Sequence, residues 1–505
     1  MARMAAPEPL PEAQRNALLR WVDWRFLLRQ QDVPRTLDLT SGRTSRAVQL
    51  VTDTAPVAPG TADLVVLGRP TRAALDTARK ALRPGGEVVC LSRVPMPAGV
   101  RRVRGRLERA GFTDVRLHWP GPLPHRPPQF WLTLDSRAPV ERVLAMRPAQ
   151  SRAMAALRPL WRAAARAGLL APLCAVARAP GAPGDATDSR DEIDALLPGS
   201  QSWVLLTGGK RSINKVVGLP FAEGESEPPV VVKFARVPEV EAALDREAEV
   251  LRLLEDERPE VPGIPRLRAR GRRAGRLALV ESAIDGRPLL SALTPATFGD
   301  LALRVTRWLV ELAGSGTPQP VAGWWSRLVE GPLGEFERSF GSVLDPGTAE
   351  RARRLIEGLG DLPQTPEHRD CSPWNVLLTG TGAPALLDWE SAEPCGLPAL
   401  DLTYFLANAA FVLDGALEAG RTRETYARLL DPTTPYGRVA AACLDEYSGR
   451  LGLDQDALPR LRLLCWIVHC RSEYRHAEME IAATPDTQAL RGGVFLGLVE
   501  EELRR

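Results

Sequence analysis

Apolar runs and amphipathic stretches alternate along the first third of the chain and predict short strands and helices. The stretch 11–30 spaces its apolar residues for an amphipathic helix. ADLVVLG at 62–68 and EVVCL at 87–91 predict buried strands, and the residues at 71–86 between them predict a helix that ends at Pro-Gly-Gly. Residues 102–119 repeat the order of helix, glycine and strand. Such alternation is typical of a parallel α/β sheet.

Beyond residue 180 the pattern changes twice. A stretch rich in Pro, Gly and Asp predicts a linker, and after it β-branched strands accompany one clear helix at 240–256. Helices dominate the rest, so we expect a multidomain chain. The predicted divisions are a helical segment at 1–32, an α/β domain at 33–180, the linker at 181–199, a strand-rich first lobe at 200–284 and a mostly helical second lobe at 285–505.

The composition is that of a globular protein. The 505 residues are 44% hydrophobic and 25% charged, which excludes a largely disordered chain. No uncharged apolar run reaches the length of a transmembrane helix, and the first 26 residues lack the apolar core of a secretory signal. Seven scattered cysteines are typical of reduced thiols. Together these features predict a cytoplasmic protein.

Charge is distributed unevenly along the chain. Residues 1–180 hold 29 Lys and Arg against 13 Asp and Glu, and because the whole chain carries +3, residues 181–505 carry −13. Simple arginine enrichment, or a basic domain that docks on an acidic one, accounts for this. No aromatic–basic interleaving accompanies the excess, so we expect no nucleic-acid partner. The arginine-rich stretch 158–180 fits core packing as well as a membrane surface, and we do not expect membrane contact.

Lysine is rare in this chain. It occurs only at Lys80, Lys210, Lys215 and Lys233, against 61 arginines. Arginine therefore stands wherever a positive charge suffices, and a lysine marks a position with particular chemistry. Arg236, three residues after Lys233, is accordingly expected to tolerate replacement by lysine.

The sharpest motif is HRDCSPWN at 368–375, followed by LLDWE at 386–390. Phosphoryl transfer needs a carboxylate that orients and deprotonates the attacking hydroxyl, and oxygen ligands that hold Mg²⁺. Asp370 suits the first role, and Asn375 and Asp388, five and eighteen residues later, suit the second. Both offsets match the catalytic and metal-binding loops of kinases. Two supporting candidates flank these residues: His368 and Glu390.

The preceding lobe supplies a cation and a buried carboxylate in the required order. Lys233 ends the strand VVVK, where an ammonium can reach the α- and β-phosphates. Glu247 lies fourteen residues later and shares a helix face with three leucines. A carboxylate on a buried face needs a partner, and Lys233 is the expected one. Glu249, on another face of the helix, is the alternative.

Two further segments of this lobe are candidates for nucleotide contact. The loop TGGKRSIN at 207–214 joins two strands and offers backbone N–H groups to phosphates. The edge 279–283 is expected to form the hinge that meets adenine. The candidate residues are Gly208, Gly209, Lys210 and Ser212 in the loop and Glu281 and Ala283 in the hinge.

Over about 200–480 the chain resembles the aminoglycoside phosphotransferase and choline kinase superfamily. The residues that carry the resemblance are HRDCSPWNVLL and LLDWESAEPCGLPALDLTYFL. The resemblance implies a bilobal protein-kinase-like α+β fold, with Asp370 as catalytic base and Asn375 and Asp388 as magnesium ligands. It also implies that Asp401 braces the catalytic loop. The glycine loop departs from G-x-G-x-x-G, which leaves the phosphate contacts open.

The acceptor is expected to be a small molecule. Only thirteen residues separate Asp388 from Asp401, too few for the peptide-binding activation loop of a protein kinase. A sugar, an aminoglycoside and an amino alcohol all remain open as acceptor classes.

Residues 33–180 resemble a class I S-adenosylmethionine-dependent methyltransferase, a Rossmann-like fold. LDLTSG, ADLVVLG, ALRPGGEVVCL and RAGFTDVRL carry this resemblance. The turn at 38–42 holds one glycine in place of D-x-G-x-G, which keeps the backbone from approaching the cofactor. Asp53, the candidate for the ribose-binding acid, comes early. We therefore expect a degenerate domain that binds no S-adenosylmethionine.

The sequence thus predicts an ATP- and Mg²⁺-dependent phosphotransferase that acts on a hydroxyl group of a small molecule. A bifunctional enzyme that also methylates is one alternative. A nucleotide-binding pseudokinase scaffold is the other, and the intact set of site residues argues against it. The sequence predicts no oligomeric state.

Overall fold

The chain folds into two compact units. The first comprises Met1–Leu244 and Leu267–Ala283, and the second comprises Asp245–Arg266 and Ile284–Arg505. The structure, a computed structural model, describes residues 10–29, 32–92, 99–121, 126–137, 139–141, 143, 159–160, 163, 174–181, 193, 196–197, 201–208, 214–314, 322–481 and 486–505.

An eleven-stranded sheet forms the first unit. Its strands follow the order β1-β2-β3-β6-β4-β5-β7-β8-β9-β11-β10. The pairs β1–β2 and β2–β3 are parallel, and all other neighbouring pairs are antiparallel. The strands are β1 (Thr36–Asp38), β2 (Ala62–Leu67), β3 (Leu82–Leu91), β4 (Thr113–Gly121), β5 (Phe130–Thr133), β6 (Cys174–Arg178), β7 (Gln201–Leu206), β8 (Val216–Ala222), β9 (Val230–Phe234), β10 (Leu267–Arg273) and β11 (Arg276–Ser282).

The predicted parallel sheet is therefore found only in β1 to β3. Strand β6 lies between β3 and β4 and runs antiparallel to both. The apolar pattern of β6 does not show that it is inserted between β3 and β4. A strand buried on both faces is apolar whether it runs parallel or antiparallel to its neighbours. The Rossmann-like interpretation of 33–180 stays a prediction.

Helices α3 and α4 cover one face of the sheet and bury a shared apolar core. Leu75 on α3 and Leu107 on α4 pack with Val88 and Leu117 from the strands. Thr71 accepts the N–H of Ala74 and caps the start of α3. The helices of this unit for which the structure describes both ends are α1 (Glu12–Leu19), α2 (Gly42–Gln49), α3 (Arg72–Ala81) and α4 (Gly99–Arg109), apart from 3₁₀ turns.

The helix predicted over 11–30 is shorter than expected. It ends at Leu19, and a 3₁₀ turn follows at 23–27. All five residues of that turn are buried, including Asp23 and Arg25. An amphipathic helix keeps one face in solvent, so it cannot bury five consecutive residues. The helix therefore ends before this turn.

The strands of the predicted α/β domain and those of the predicted first lobe belong to one sheet. Strands β5 and β7 pair directly, with Phe130 opposite Leu206 and Trp131 opposite Leu205. A common core beneath them joins Phe130 and Leu132 to residues of β7 and β8. The predicted linker at 181–199 lies almost wholly outside the described residues, and the predicted domain boundaries stay a prediction.

The second unit is mostly helical, as the pattern predicts. Helix α5 (Glu241–Glu257), predicted over 240–256, begins in the first unit and continues in the second. The longest helix, α13, packs against α7, α8, α9 and α15. The other helices are α6 (Phe298–Ala313), α7 (Gly331–Phe340), α8 (Thr348–Ile356), α9 (Leu400–Asp414), α10 (Ala416–Ala419), α11 (Thr422–Leu429), α12 (Pro435–Leu451), α13 (Ala457–Ile481), α14 (Thr487–Arg491) and α15 (Val494–Arg504).

In the second unit, the strands that precede and follow the HRD motif belong to two small sheets. One has the order β12-β14-β15, and the other pairs β13 with β16. Their bounds are β12 (Arg287–Pro288), β13 (Thr365–Glu367), β14 (Val376–Leu378), β15 (Pro384–Leu386) and β16 (Glu393–Gly396). In the part of the chain that the structure describes, no helix combines the length and the apolar character needed to cross a bilayer.

Candidate active site

The loop that carries the HRD motif connects β13 to β14 and is held by the first turn of α9. Both carboxylate oxygens of Asp401 accept backbone N–H groups of this loop. The N–H of His368 lies 2.6 Å from one oxygen, and the N–H of Arg369 lies 2.8 Å from the other. Asp401 thus connects the start of α9 to this loop, and the supporting role that the resemblance implies for it stays a prediction.

A buried group of charges surrounds Asp401. Burial, reinforced by the nearby Glu367 carboxylate, raises the pKa of Asp401 above its ordinary value. Burial raises the pKa of Glu367 as well. The Arg369 guanidinium lies 3.3 Å from Glu367 and 3.8 Å from Glu393 and offsets their negative charge.

His368 is fixed between the HRD loop and the strand end that carries the next motif. Its Nδ1 accepts the backbone N–H of Asp370 at 3.2 Å, so the ring proton lies on Nε2. Nε2 then donates to the carbonyl of Leu387, 3.0 Å away. The ring also packs edge-on against Trp389. His368 therefore ties the predicted catalytic residue to the predicted metal-binding loop.

Asp370 is half-buried, and two side chains hydrogen-bond with its carboxylate. The amide nitrogen of Asn375 donates to its Oδ2 at 2.8 Å and to its backbone carbonyl at 2.9 Å. The hydroxyl of Tyr404 hydrogen-bonds with the same carboxylate. Burial, and then the charge of Asp370, raise the pKa of Tyr404 far above its ordinary value, so this hydroxyl stays a neutral donor.

Three carboxylates converge in the second unit. One oxygen each from Glu247, Asp388 and Glu390 lies within 4.8 Å of the others. Glu247 is fully buried, and its Oε1 accepts the N–H of Trp389 at 2.7 Å. Hard cations such as Mg²⁺ prefer oxygen ligands of this kind. The predicted ligand Asp388 is therefore joined by two carboxylates that the sequence interpretation had placed in other roles.

Two non-glycine residues of these loops have left-handed backbone conformations. Arg369 has φ 62° and Asp388 has φ 77°. Such conformations cost about 1–3 kcal/mol and are found most often at functional sites.

The predicted cation of the first lobe has a buried partner in the same unit. The Nζ of Lys233 lies 3.0 Å from Oε2 of Glu281, and both side chains are almost fully buried. Glu281 lies on β11, its side chain pairs with Lys233, and its place at an adenine hinge stays a prediction. Lys233 belongs to the first unit and Glu247 to the second, and their pairing stays a prediction.

The predicted phosphate loop is described only at its ends. Gly208 follows β7, whereas Gly209, Lys210 and Ser212 lie outside the described residues. The residue before it, Thr207, is fully buried. At the hinge, the N–H of Ala283 donates to the carbonyl of Pro229.

The sequence interpretation missed Tyr404. It stands three residues after Asp401 on α9, a spacing that places both on one face of a helix. That spacing was the available signal.

The comparisons with known proteins place the family match on this part of the chain. Residues 221–437 match the model of the phosphotransferase enzyme family, APH. The comparison with curated proteins found no match.

Solved structures of phosphotransferases are also similar to the chain. An aminoglycoside-3'-phosphotransferase of type VIII is 22% identical, with 54% of this chain and 95% of that chain covered and a TM-score of 0.35. The aminoglycoside phosphotransferase APH(3'')-Id from Streptomyces rimosus is 17% identical, with coverages of 50% and 89% and a TM-score of 0.34. Choline kinase LicA from Streptococcus pneumoniae is 14% identical, with coverages of 58% and 92% and a TM-score of 0.37. Since these TM-scores lie below 0.5, the family match over 221–437 is the finding that bears on function.

Proposed function

We propose that the chain transfers the γ-phosphate of ATP to a hydroxyl group of a small molecule. The observation that carries this proposal is the fixed position of Asp370. Its loop is hydrogen-bonded to Asp401, and its carboxylate is oriented by Asn375 and Tyr404. The phosphotransferase family match over 221–437 supports it.

In the proposed reaction Asp370 accepts the proton of the acceptor hydroxyl. The acceptor oxygen attacks the γ-phosphorus, the bond from that phosphorus to the β,γ-bridging oxygen breaks, and ADP leaves. Because Asn375 and Tyr404 hold the carboxylate before the acceptor binds, little reorganisation is needed at the moment of transfer. Lys233 is the proposed contact to the phosphates of ATP.

The residues present fit a magnesium ion. Asp388, Glu390 and Glu247 offer carboxylate oxygens within reach of one another. Asn375 uses its amide nitrogen on Asp370, and its carbonyl oxygen is the atom it would offer to the metal. Magnesium, when bound, neutralises negative charge on the phosphates.

The segment between Asp388 and α9 supports a small acceptor. After Asp388 the chain forms a 3₁₀ turn at 389–391, pairs as β16 with β13, and enters α9 at Leu400. This path leaves no long loop on which a peptide could dock. Sugars, aminoglycosides and amino alcohols each present the required hydroxyl, and we propose an acceptor from one of these classes.

Replacing Asp370 tests the proposal. ADP formation would be measured with ATP, Mg²⁺ and a panel of monosaccharides, aminoglycosides and amino alcohols. We expect transfer to at least one class by the natural protein. Asp370→Asn should lower kcat by about 10²–10⁴ and leave the Kd for ADP unchanged, because the carboxylate acts on the acceptor.

The matched control is Asp361→Asn, nine residues earlier at an exposed position. It should keep full activity. Turnover by Asp370→Asn close to that of the natural protein would show that another group accepts the proton.

A further inference from the structure

The first unit contains a buried ion pair that links distant parts of the sequence. Nε and Nη2 of Arg236 each lie 3.0 Å from a different carboxylate oxygen of Asp23. Neither side chain is exposed. Arg236 follows β9, two residues after that strand ends and three after Lys233. Asp23 belongs to the 3₁₀ turn that follows α1.

The same guanidinium also fixes the start of the predicted phosphate loop. Nη2 of Arg236 donates to the carbonyl of Thr207 at 2.9 Å. Thr207 is the residue directly before Gly208. Its N–H and hydroxyl donate in turn to the carbonyls of Gln129 and Pro128, which precede β5. The loop therefore begins at a residue held on two sides.

The N-terminal segment 23–29 makes further contacts to the end of β9. Arg25 donates to the backbone carbonyl of Arg236 at 2.6 Å. The ring of Phe26 stacks on Phe234, the last residue of β9, with centroids 4.7 Å apart. Phe234 and Lys233 are adjacent, so these contacts fix the strand at the position of the lysine.

The other end of this segment is bound to the opposite part of the sheet. The carbonyl of Leu27 accepts from Arg116 on β4 at 2.8 Å. The N–H of Arg29 donates to Glu87 on β3 at 2.9 Å. Segment 23–29 thus reaches from β3 to β9 and is bound along its length.

We propose that segment 23–29 is a positioning element for nucleotide binding, with Asp23 acting through Arg236. By this arrangement the N-terminal half fixes two phosphate-binding pieces at once, the strand end that carries Lys233 and the start of the loop at Thr207. The inference rests on the proposed function, because it assumes that these two pieces contact the phosphates of ATP. It gives the N-terminal half a role in the phosphotransfer reaction that requires no ligand of its own.

Nucleotide affinity of the full chain tests this role. The Kd for ADP in the presence of Mg²⁺ would be measured by calorimetry for the natural protein, Asp23→Asn and Arg236→Lys. Lysine keeps the buried charge, but its single nitrogen on a shorter stem does not reproduce the planar fork in which Nε and Nη2 of Arg236 contact separate oxygens of Asp23. We expect both variants to raise the Kd for ADP by about 10- to 100-fold, the effect of losing about one hydrogen bond to a charged group.

The matched control is Asp63→Asn, in β2 of the same unit. Asp63 pairs with Arg83 and accepts the N–H of Arg35, far along the sheet from β9. Its replacement should lower the unfolding temperature but leave the Kd for ADP within about twofold. A loss of affinity in all three variants would mean that nucleotide binding follows stability alone, and the positioning role would be wrong.

Amide hydrogen exchange of the natural protein tests the positioning role of segment 23–29 even where a variant fails to fold. If segment 23–29 and the nucleotide are coupled, the coupling is reciprocal, and ADP must slow amide hydrogen exchange in 23–29. Unchanged exchange there, with exchange slowed near Lys233, would overturn the inference. A natural protein that binds no ADP at all would instead refute the proposed function.

Discussion

Lys233 is the residue at which composition and structure agree most directly. The chain uses arginine for 61 of its 65 basic residues, yet a lysine stands at the end of β9. The structure gives this ammonium a buried carboxylate partner, Glu281, at 3.0 Å. A compact ammonium fits such a site, whereas a guanidinium is wider and binds in a fixed planar geometry.

We therefore expect Lys233→Arg to be nearly as damaging as Lys233→Ala. Loss of one such electrostatic contact lowers the rate by about 10²–10³, roughly 2.7–4 kcal/mol. Steady-state measurement of kcat/KM for ATP checks this. The control is Lys80→Arg, an exposed lysine on α3, which should be neutral. Full activity of Lys233→Arg would remove Lys233 from the proposed site.

Arg236 is a residue whose buried contact could not be predicted from the sequence. The abundance of arginine predicts that Arg236 tolerates lysine, and this prediction does not fit the structure. The side chain is fully buried and contacts Asp23 through two nitrogens. Its partner stands 213 positions earlier, and no local pattern reveals a contact of that separation. Asp370, Asn375 and Asp388 could be found because their spacing is local.

At the scale of elements, the candidate site depends on how α9 packs against α13. The ring of His469 on α13 stacks on Tyr404 of α9, with centroids 3.8 Å apart and planes 10° from parallel. Tyr404 in turn hydrogen-bonds with Asp370. The packing of two helices thus sets the position of a side chain at the candidate catalytic base.

This packing predicts a pH dependence of stability. Burial, with the charge of Arg369 adding to it, lowers the pKa of His469 to about 3. Below its ordinary value of 6.5 the unfolded imidazole takes up a proton and the folded one does not, so acid favours unfolding. Between pH 7.5 and 5 the loss is about 2 kcal/mol.

His469→Phe keeps the stacked ring and has no proton to gain. We expect its unfolding temperature to fall less than that of the natural protein when the pH is lowered from 7.5 to 5, as measured by circular dichroism. Equal falls in the two proteins would mean that His469 titrates normally in the folded state.

The elements that sequence patterns predicted well are those whose signals are local. Helix α3 and strand β3 follow from an amphipathic run, a Pro-Gly-Gly stop and an apolar run. Helix α5 was predicted to within one residue at each end. The 3₁₀ turn at 23–27 was missed, because its residues are buried by strands that follow much later in the chain. A strand near the end of 158–180 was predicted as the last strand of the α/β domain, but its antiparallel place between β3 and β4 was not, because strand order depends on contacts between distant parts of the sequence.

At the scale of the whole molecule, the sheet of the predicted first lobe continues past β7 into strands of the N-terminal half. Strand β7 pairs with β5, and Val204 and Phe221 complete a core with Phe130 and Leu132. A chain that began at residue 200 would expose this core and leave Arg236 buried without Asp23. An unpaired buried charge costs about 3–5 kcal/mol, a large part of the stability of most domains.

We therefore expect residues 200–505 to be insoluble or unfolded when produced alone. Soluble yield and far-ultraviolet circular dichroism check this. The control is a chain of residues 10–505, which keeps every contact described above and should fold like the full chain. A soluble, cooperatively folding 200–505 fragment would show that the shared sheet is dispensable.

Among the described residues, the eleven-stranded sheet has two edge strands at which another chain could add a strand. One edge strand is β1, which is three residues long and already donates the N–H of Thr36 to the carbonyl of Asp53. The other is β10, with the sequence LRARGRR, in which Arg268, Arg270 and Arg272 are exposed and Arg273 is buried. Short strands and rows of charge are two ways in which proteins prevent edge-to-edge aggregation. We therefore expect the exposed arginines of β10 to oppose the pairing of this edge with another chain.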